Sequence, residues 1–230
     1  GRSNPLLPSL KYLSGPNIIA EIKRASPSRG KLIEGSFLPY LEEYEAGEAV
    51  AISVVTEEDY FKGSLEMFQE VRKFTSLPLL RKDFVIEETQ IYESAQWGAD
   101  ALLLIARILS RERLQRFVYL CTLLNLVPWV EVHDEKDVEK ALEAGAPLIG
   151  INNRNLATFQ VAIEISERLR REVPPSIPVV AESGIKNRAD IEKLMDKGIN
   201  NFLIGETLLA SLHPAEKLKE LQGGTKVAQS

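Results

Sequence analysis

Eight short runs of apolar, mostly β-branched residues recur along the chain at intervals of about 20 to 30 residues, the spacing of βαβ units. They predict strands at about 18–24, 49–56, 78–84, 101–106, 127–133, 148–153, 178–183 and 201–205. The run Ala101-Leu102-Leu103-Leu104-Ile105 is apolar without alternation, which is typical of a parallel strand with both faces buried. These runs therefore predict a parallel sheet covered by helices.

The segments between the runs have helical periodicity. In 64–74 and 111–124, apolar residues recur at three- and four-residue spacing among charged ones. Gly98, Gly145 and Gly198 each follow such a segment and precede the next strand, as glycines that end helices do. Eight strand–helix units without a linker predict a single α/β domain, a (β/α)8 TIM barrel spanning 18–222. A doubly wound open sheet is the structural alternative.

Composition restricts the partners and the compartment. The net charge of −5 and the pI near 5.3 argue against a nucleic-acid partner, although a few local cations can still hold a small phosphorylated molecule. One cysteine, Cys121, excludes an intrachain disulfide, and only two histidines accompany it, so we expect a reducing, cytoplasmic setting and no metal site. No apolar run reaches the ~18 residues that a membrane span needs, and no signal peptide is visible.

Charged side chains stand at the carboxyl ends of the predicted strands, where a (β/α)8 barrel builds its active site. Lys23 stands at the end of the first predicted strand and Lys82 at the end of the third, while Glu131 and Glu182 end apolar strands further on. A glutamate in an apolar strand is costly unless it is paired or used. One interpretation is a buried ion pair with a purely structural role. Two lysines and two carboxylates on different strand ends favour acid–base catalysis instead.

Two glycine-containing loops match the positions where such barrels bind phosphate. Ser183-Gly184 follows the seventh strand and Gly205-Glu206 the eighth. Glycine lets backbone N–H groups approach phosphate oxygens, but a carboxylate beside a phosphate is repelled, so we expect the Glu206 side chain to point outward.

Three further residues have simpler interpretations. We expect Trp129 and Cys121 to be core residues, and His133 to lie at the rim without direct chemistry.

Motifs along nearly the whole barrel resemble the indole-3-glycerol-phosphate synthases of tryptophan biosynthesis. They run in order from about residue 18 to 210 and are Ile19-Ala20-Glu21-Ile22-Lys23-Arg24-Ala25-Ser26-Pro27-Ser28, Ser53-Val54-Val55-Thr56-Glu57, Tyr60-Phe61-Lys62-Gly63-Ser64, Leu80-Arg81-Lys82-Asp83-Phe84, Val130-Glu131-Val132-His133, Gly150-Ile151-Asn152-Asn153-Arg154-Asn155-Leu156, Ala181-Glu182-Ser183-Gly184-Ile185 and Phe202-Leu203-Ile204-Gly205-Glu206. Together these motifs are highly specific.

The resemblance implies a lyase reaction on a small phosphorylated substrate. In it, 1-(2-carboxyphenylamino)-1-deoxyribulose 5-phosphate closes its ring and loses CO2 and water to give indole-3-glycerol phosphate. The resemblance implies that Lys82 is the general acid, that Glu131 does acid–base work in the dehydration, and that Lys23 binds an anionic group and takes part in proton transfer. No cofactor and no obligate protein partner are implied.

The resemblance also implies a set of substrate-binding residues. Glu21, Asn152 and Glu182 orient the substrate and the lysines, Phe61, Phe84 and Leu156 form apolar walls around the anthranilate ring, and Ser26, Ser183, Gly184, Gly205 and Glu206 hold the phosphate, with Arg154 close by.

Family members carry an N-terminal extension with a helix before the first strand. Here 1–17 is interpreted as a remnant of it, with Leu6 to Leu13 as the remaining helix, weakened by Pro5 and Pro8, and 223–230 as a flexible tail. The absent part is expected to weaken substrate binding rather than folding.

Three other functions stay open at this stage. Phosphoribosylanthranilate isomerase needs a catalytic cysteine at a strand end, whereas Cys121 falls in a helix. A Schiff-base aldolase would use one of the two rim lysines. The third is a catalytically weak or engineered barrel scaffold.

Overall fold

Eight parallel strands close into a barrel in a computed structural model that describes residues 4–12, 15–27, 29–155 and 158–224. The strands, numbered first to eighth below, are Asn17–Ile22, Ala51–Val55, Leu79–Lys82, Ala101–Ile105, Val127–Val132, Leu148–Asn152, Val179–Glu182 and Asn201–Ile204. Each pairs with its neighbours in chain order, and Asn17 of the first strand lies opposite Asn201 of the eighth. The predicted (β/α)8 barrel is confirmed, and the open sheet is wrong.

Helices follow the strands and cover the outside of the barrel. Those of the described residues are Leu6–Tyr12, Leu38–Ala46, Leu65–Phe74, Glu88–Gln96, Arg111–Leu123, Glu135–Glu143, Glu164–Leu169, Arg188–Met195, Glu206–Leu209 and Pro214–Gln222, with 3-10 turns at Ala106–Ile108 and Arg170–Glu172. Gly98, Gly145 and Gly198 have φ angles of +80°, +75° and +78° just beyond three of these helices, as expected. Within the described ranges, no helix has the length and apolar character needed to cross a membrane.

Alternation along the strands divides the buried residues into two cores. Side chains such as Ile19, Leu80 and Trp129 point into the barrel and form an inner core. Their chain neighbours pack outward against the helices, with Phe68 and Phe117 among the largest fully buried side chains there. A residue two positions beyond an inner-core residue on the same strand therefore points into the upper barrel.

The first helix closes the end of the barrel opposite the carboxyl ends of the strands. Leu6 and Leu10 are buried in the inner core, and the Asn4 side-chain amide donates to the carbonyl of Asp100, just before the fourth strand. Pro8 does not break this helix because it lies in the first turn, where backbone N–H groups lack helical partners in any case. The predicted helix is thus present as Leu6–Tyr12, and Leu13 lies outside the described residues.

Candidate active site

One ammonium group stands among three carboxylates in the upper barrel. The Nζ atom of Lys82 lies 3.7 Å from Oε2 of Glu131, 3.7 Å from Oε2 of Glu182 and 4.0 Å from Oε2 of Glu21. All three glutamates are buried, with side chains at most 5% exposed, whereas the Lys82 side chain keeps 21% exposure. Four side chains that the sequence assigns to the site therefore meet. Among them, Lys82 is the most accessible from the open end of the barrel.

The two-residue period of the strands explains this convergence. Lys82 follows Leu80 of the inner core, and Glu131 follows Trp129, so both point inward. Arg81 points the other way and donates to Ser94 Oγ (3.0 Å) and Asp83 Oδ2 (3.2 Å) behind the sheet. Arg81 and Asp83 therefore pair on the helix side of the strand, apart from the Lys82 ammonium.

The charges in this cluster shift one another's protonation. Burial alone disfavours the charged form of Lys82, but Glu21, Glu131 and Glu182 outweigh it and hold the pKa of Lys82 above its ordinary value. Burial is the main cause that raises the pKa of Glu182 to about 8; Glu131 adds to it, and Lys82 opposes it. Burial also acts to raise the pKa of Glu21, but Lys23 and Lys82 outweigh it and lower that pKa below its ordinary value. The cluster thus combines a stable cationic acid with a carboxyl group that titrates near neutral pH.

Lys23 belongs to the same site through Glu21. Its Nζ atom lies 2.9 Å from Oε1 of Glu21, whose other oxygen accepts a 3.4 Å hydrogen bond from Ser53 Oγ and faces Lys82. Lys23 lies just beyond the end of the first strand, one residue after Ile22, rather than inside it as predicted. Glu21 therefore bridges the two lysines.

The indole of Trp129 holds Glu182 from below. Its Nε1 atom donates a 2.8 Å hydrogen bond to Oε1 of Glu182, and both residues are at most 1% exposed. The interpretation of Trp129 as a core residue is correct for its ring, but it overlooks this polar contact. The spacing in the sequence already indicated this contact with the site, because Trp129 lies two residues before Glu131 and so points to the same face of the strand.

A histidine and an aspartate lie behind Glu131. His133 Nε2 is 3.3 Å from Oε1 of Glu131, and His133 Nδ1 is 3.7 Å from Oδ2 of Asp137. The same Asp137 oxygen accepts the backbone N–H of His133 at 3.0 Å and lies 3.4 Å from Arg107 Nη2. The imidazole is buried rather than exposed at the rim, which corrects the expectation for His133.

A second ionic cluster surrounds Glu206. Its carboxylate accepts a 3.1 Å hydrogen bond from Arg154 Nη2 and lies 3.4 Å from Arg29 Nε and 3.8 Å from Lys23 Nζ. The expectation that Glu206 points outward is wrong, since three cations attract its carboxylate inward. The polar loop 24–30 after Lys23 is suited to anion contacts, but the sequence does not single out Arg29 within it, since no strand fixes the direction of its side chain.

The predicted phosphate loops come together at the same edge of the barrel. Ser183 and Gly184 both have positive φ angles, +67° and +83°, and Ser183 Oγ donates a 3.0 Å hydrogen bond to Asn152 Oδ1. Gly205 lies against the first strand, where an added Cβ atom would come 2.7 Å from Oε1 of Glu21. Ser26 is buried in a short hairpin that follows Lys23.

The predicted apolar walls are only partly described. Phe84 is 41% exposed beyond the third strand, and Phe61 is half-buried beyond the second, with its carbonyl accepting the N–H of Ala25. Neither ring is part of the charged cluster that Lys82 forms with the three glutamates. Leu156 lies outside the described residues.

The fold and this site define a (β/α)8-barrel enzyme with acid–base groups at the carboxyl ends of its strands. A family model described as indole-3-glycerol phosphate synthase matches residues 9–221. The chain is 51% identical over 209 residues to the indole-3-glycerol phosphate synthase of Desulfosudis oleivorans, covering 90% of this chain and 79% of that protein. It is 42% identical over 226 residues to the one of Campylobacter jejuni, covering 95% and 88%. The chain belongs to the indole-3-glycerol phosphate synthase family of tryptophan-pathway enzymes.

Solved structures with distant sequences share the architecture. Thiamine phosphate pyrophosphorylase from Pyrococcus furiosus superposes with a TM-score of 0.68 at 17% identity, covering 95% of this chain and 96% of that one. N-acetylmannosamine-6-phosphate 2-epimerase from Clostridium perfringens superposes with a TM-score of 0.67 at 15% identity, covering 88% of this chain and 90% of that one. At such identities the likeness establishes the fold alone.

Proposed function

We propose that this protein is an active indole-3-glycerol-phosphate synthase and, by its chemistry, a carboxy-lyase. Its substrate is 1-(2-carboxyphenylamino)-1-deoxyribulose 5-phosphate, which closes its ring and loses CO2 and water. The observation that carries the proposal is the placement of Lys82, 3.7 to 4.0 Å from three buried carboxylates and still accessible from the opening. Ring closure needs a proton on the substrate carbonyl oxygen, and a fixed cationic acid supplies it.

Lys82 donates that proton as the aromatic carbon attacks the carbonyl carbon. The three carboxylates keep Lys82 protonated in the free enzyme, because they hold its pKa above the ordinary value. Glu131 takes part in the proton transfers of the later dehydration, in which a hydroxyl leaves as water. Glu182, whose pKa of about 8 is close to neutral, is suited to exchange protons with both groups. Decarboxylation restores the aromaticity of the benzene ring, which the attack of its carbon on the carbonyl had disrupted, so the reaction itself calls for no cofactor.

The second ionic cluster receives the anionic parts of the substrate. Lys23, Arg29 and Arg154 converge on Glu206, and an incoming anion competes with that carboxylate for the same cations. Ser26, Ser183, Gly184 and Gly205 surround the phosphate, and Asn152 fixes the Ser183 hydroxyl. Phe61 and Phe84 line the anthranilate ring at the mouth. The family resemblance assigns Leu156 to the same ring. We also place the protein in the cytoplasm, where a free buried thiol such as that of Cys121 stays reduced.

A Schiff-base aldolase is less compatible with the site. An imine requires a neutral amine as nucleophile, whereas the carboxylates around Lys82 stabilise its ammonium form. Cys121 is also unsuited to isomerase chemistry, because it is buried in the helix Arg111–Leu123 and burial raises the pKa of its thiol to about 12.

The decisive experiment is an assay of purified protein with the carboxyphenylamino substrate, followed by indole fluorescence and by trapping of released CO2. We expect equal amounts of indole-3-glycerol phosphate and CO2. Borohydride added during turnover should leave the protein mass unchanged. A folded protein that makes no indole product at high substrate concentration contradicts the proposal, and a borohydride-dependent mass increase on Lys82 supports the aldolase instead.

A further inference from the structure

The buried contact between Trp129 and Glu182 has a consequence for the reaction. We propose that Trp129 is a positioning residue: its indole N–H fixes Oε1 of Glu182 and thereby leaves Oε2 directed at Lys82. The catalytic consequence rests on the proposed function, whereas the contact itself does not. Nε1 of Trp129 and Oε1 of Glu182 are 2.8 Å apart, and both side chains are buried.

The sixth strand makes room for this contact. Trp129 is on the fifth strand and Glu182 on the seventh, so the hydrogen bond crosses the strand between them at Gly150. A Cβ atom on Gly150 would lie 2.0 Å from Oε1 of Glu182 and 2.3 Å from Nε1 of Trp129. Real Cβ atoms do not approach other atoms so closely, and therefore only glycine leaves the space that the pair occupies.

The two oxygens of Glu182 have different environments. Oε1 accepts the indole N–H, while Oε2 is buried, accepts no hydrogen bond from the described residues, and lies 3.7 Å from Lys82 Nζ. An indole can only donate, and a buried carboxyl oxygen needs a donor, so the contact satisfies the indole N–H and Oε1 of Glu182. Without the indole N–H, the carboxylate is free to rotate and turn either oxygen toward the ammonium.

Shape alone does not require tryptophan at this position. The inner core around Trp129 is otherwise made of aliphatic side chains such as Leu103, Leu148 and Val180, none of which offers a hydrogen-bond donor. What the indole adds to apolar packing is one N–H group, aimed at the one carboxylate that packs against it. The chain's other tryptophan, Trp97, lies outside the barrel and is a matched control.

The contact is tested first without substrate, by NMR of the two indole N–H groups. Trp97→Phe assigns the signals, and we expect the Trp129 signal downfield of the other because its proton faces a carboxylate. Glu182→Leu should move the Trp129 signal upfield because no acceptor oxygen remains, and Glu172→Leu, at an exposed site, should leave it in place. An unchanged Trp129 signal in Glu182→Leu overturns the proposal.

The role in turnover is tested with two variants made in the Trp97→Phe background. Trp129→Phe removes the donor and some volume, and 3-benzothienylalanine in place of the remaining tryptophan removes only the N–H. We expect kcat to fall about tenfold or more in both variants, because that factor corresponds to the free energy of one hydrogen bond to a charged group. KM should change less than about twofold.

Each result has a distinct meaning. A folded benzothienyl variant that keeps the kcat of its Trp97→Phe parent overturns the positioning role, since the packing is preserved and only the donor is lost. Should Trp129→Phe unfold, the isosteric variant still decides the question. An inactive parent protein contradicts the proposed function, and the NMR shift then still decides whether the Trp129–Glu182 contact exists.

Discussion

The guanidinium of Arg154 donates a 3.1 Å hydrogen bond to the carboxylate of Glu206, joining the segments after the sixth and eighth strands. Lys23 and Arg29 face the same carboxylate at 3.8 and 3.4 Å. The cations that an anionic substrate needs are therefore already gathered in the free protein, around an internal anion. This arrangement prepares the site but also sets up competition with a bound phosphate.

The first prediction concerns that competition. Glu206→Gln removes the internal negative charge, and we expect inorganic phosphate to bind about three- to tenfold more tightly, since two charges near a protein surface interact by a few kcal/mol at most. Isothermal titration calorimetry at fixed ionic strength measures the effect. Glu216→Gln, on the exposed side of the helix Pro214–Gln222, is the matched control with no expected change. Weaker phosphate binding by Glu206→Gln would mean that the carboxylate organises the cations instead of opposing the ligand.

Lys82→Met is expected to abolish ring closure while the barrel still forms. Methionine keeps most of the apolar stem but supplies no proton, and acid catalysis typically contributes about 10²- to 10⁴-fold. Steady-state kinetics by indole fluorescence tests this, with circular dichroism to check the fold. Lys197→Met removes an exposed lysine after the helix Arg188–Met195 and should keep full activity. Turnover of Lys82→Met within tenfold of the parent would reject the general-acid role.

Glu131→Gln should lower kcat more than it changes KM. Glu131 contacts Lys82 and His133, and an amide keeps the shape of the carboxylate but cannot take up a proton at working pH. Single-turnover measurements are expected to show the slowdown in the dehydration step, with ring closure less affected. If only KM changes, Glu131 binds substrate and does not transfer protons.

Glu182 should make the fold less stable as the pH rises. Its pKa increases from 4.5 to about 8 on folding, chiefly through burial, so the folded state holds a proton that the unfolded chain loses between these values. The stabilisation is therefore complete below about pH 4.5 and is lost as the pH rises toward 8. Glu182→Gln resembles the protonated form and lacks this dependence.

We expect Glu182→Gln to gain stability over the parent between pH 5 and 8, by at most about 1.4 kcal/mol per pH unit. Urea unfolding at pH 5, 6.5 and 8 measures the difference. Glu172→Gln, at an exposed site, should show none. A constant difference between Glu182→Gln and the parent across this range would mean that Glu182 stays ionised in the folded protein.

Local chemistry in the sequence predicted the fold and the inward-facing part of the site. Apolar runs fixed the strands to within about two residues, and the glycines after the helices fixed the ends of three αβ units. Lys82, Glu131 and Glu182 were found because a charge at the end of a buried strand is costly, which makes it conspicuous. Their common direction follows from the period of a strand.

Residues in irregular segments could not be placed in this way. Arg29 and Glu206 were missed or misdirected because no strand or long helix fixes their side chains, and their direction depends on charges brought together from distant loops. Arg81 follows a simpler rule: it is next to Lys82 in the chain, but adjacent residues on a strand face opposite sides of the sheet, and its side chain contacts Ser94 outside the barrel.

The sequence by itself thus determined the barrel, the family and the charged residues at the strand ends, because these depend on hydrophobic pattern and on residue identity. Only the tertiary structure decided which atoms meet. Closure of the barrel brings the fifth and seventh strands near enough for Trp129 to donate to Glu182 across Gly150, and it places three carboxylates around one ammonium. Such contacts join residues 49 to 100 positions apart in the chain, and their energies depend on burial and distance, neither of which a linear pattern contains.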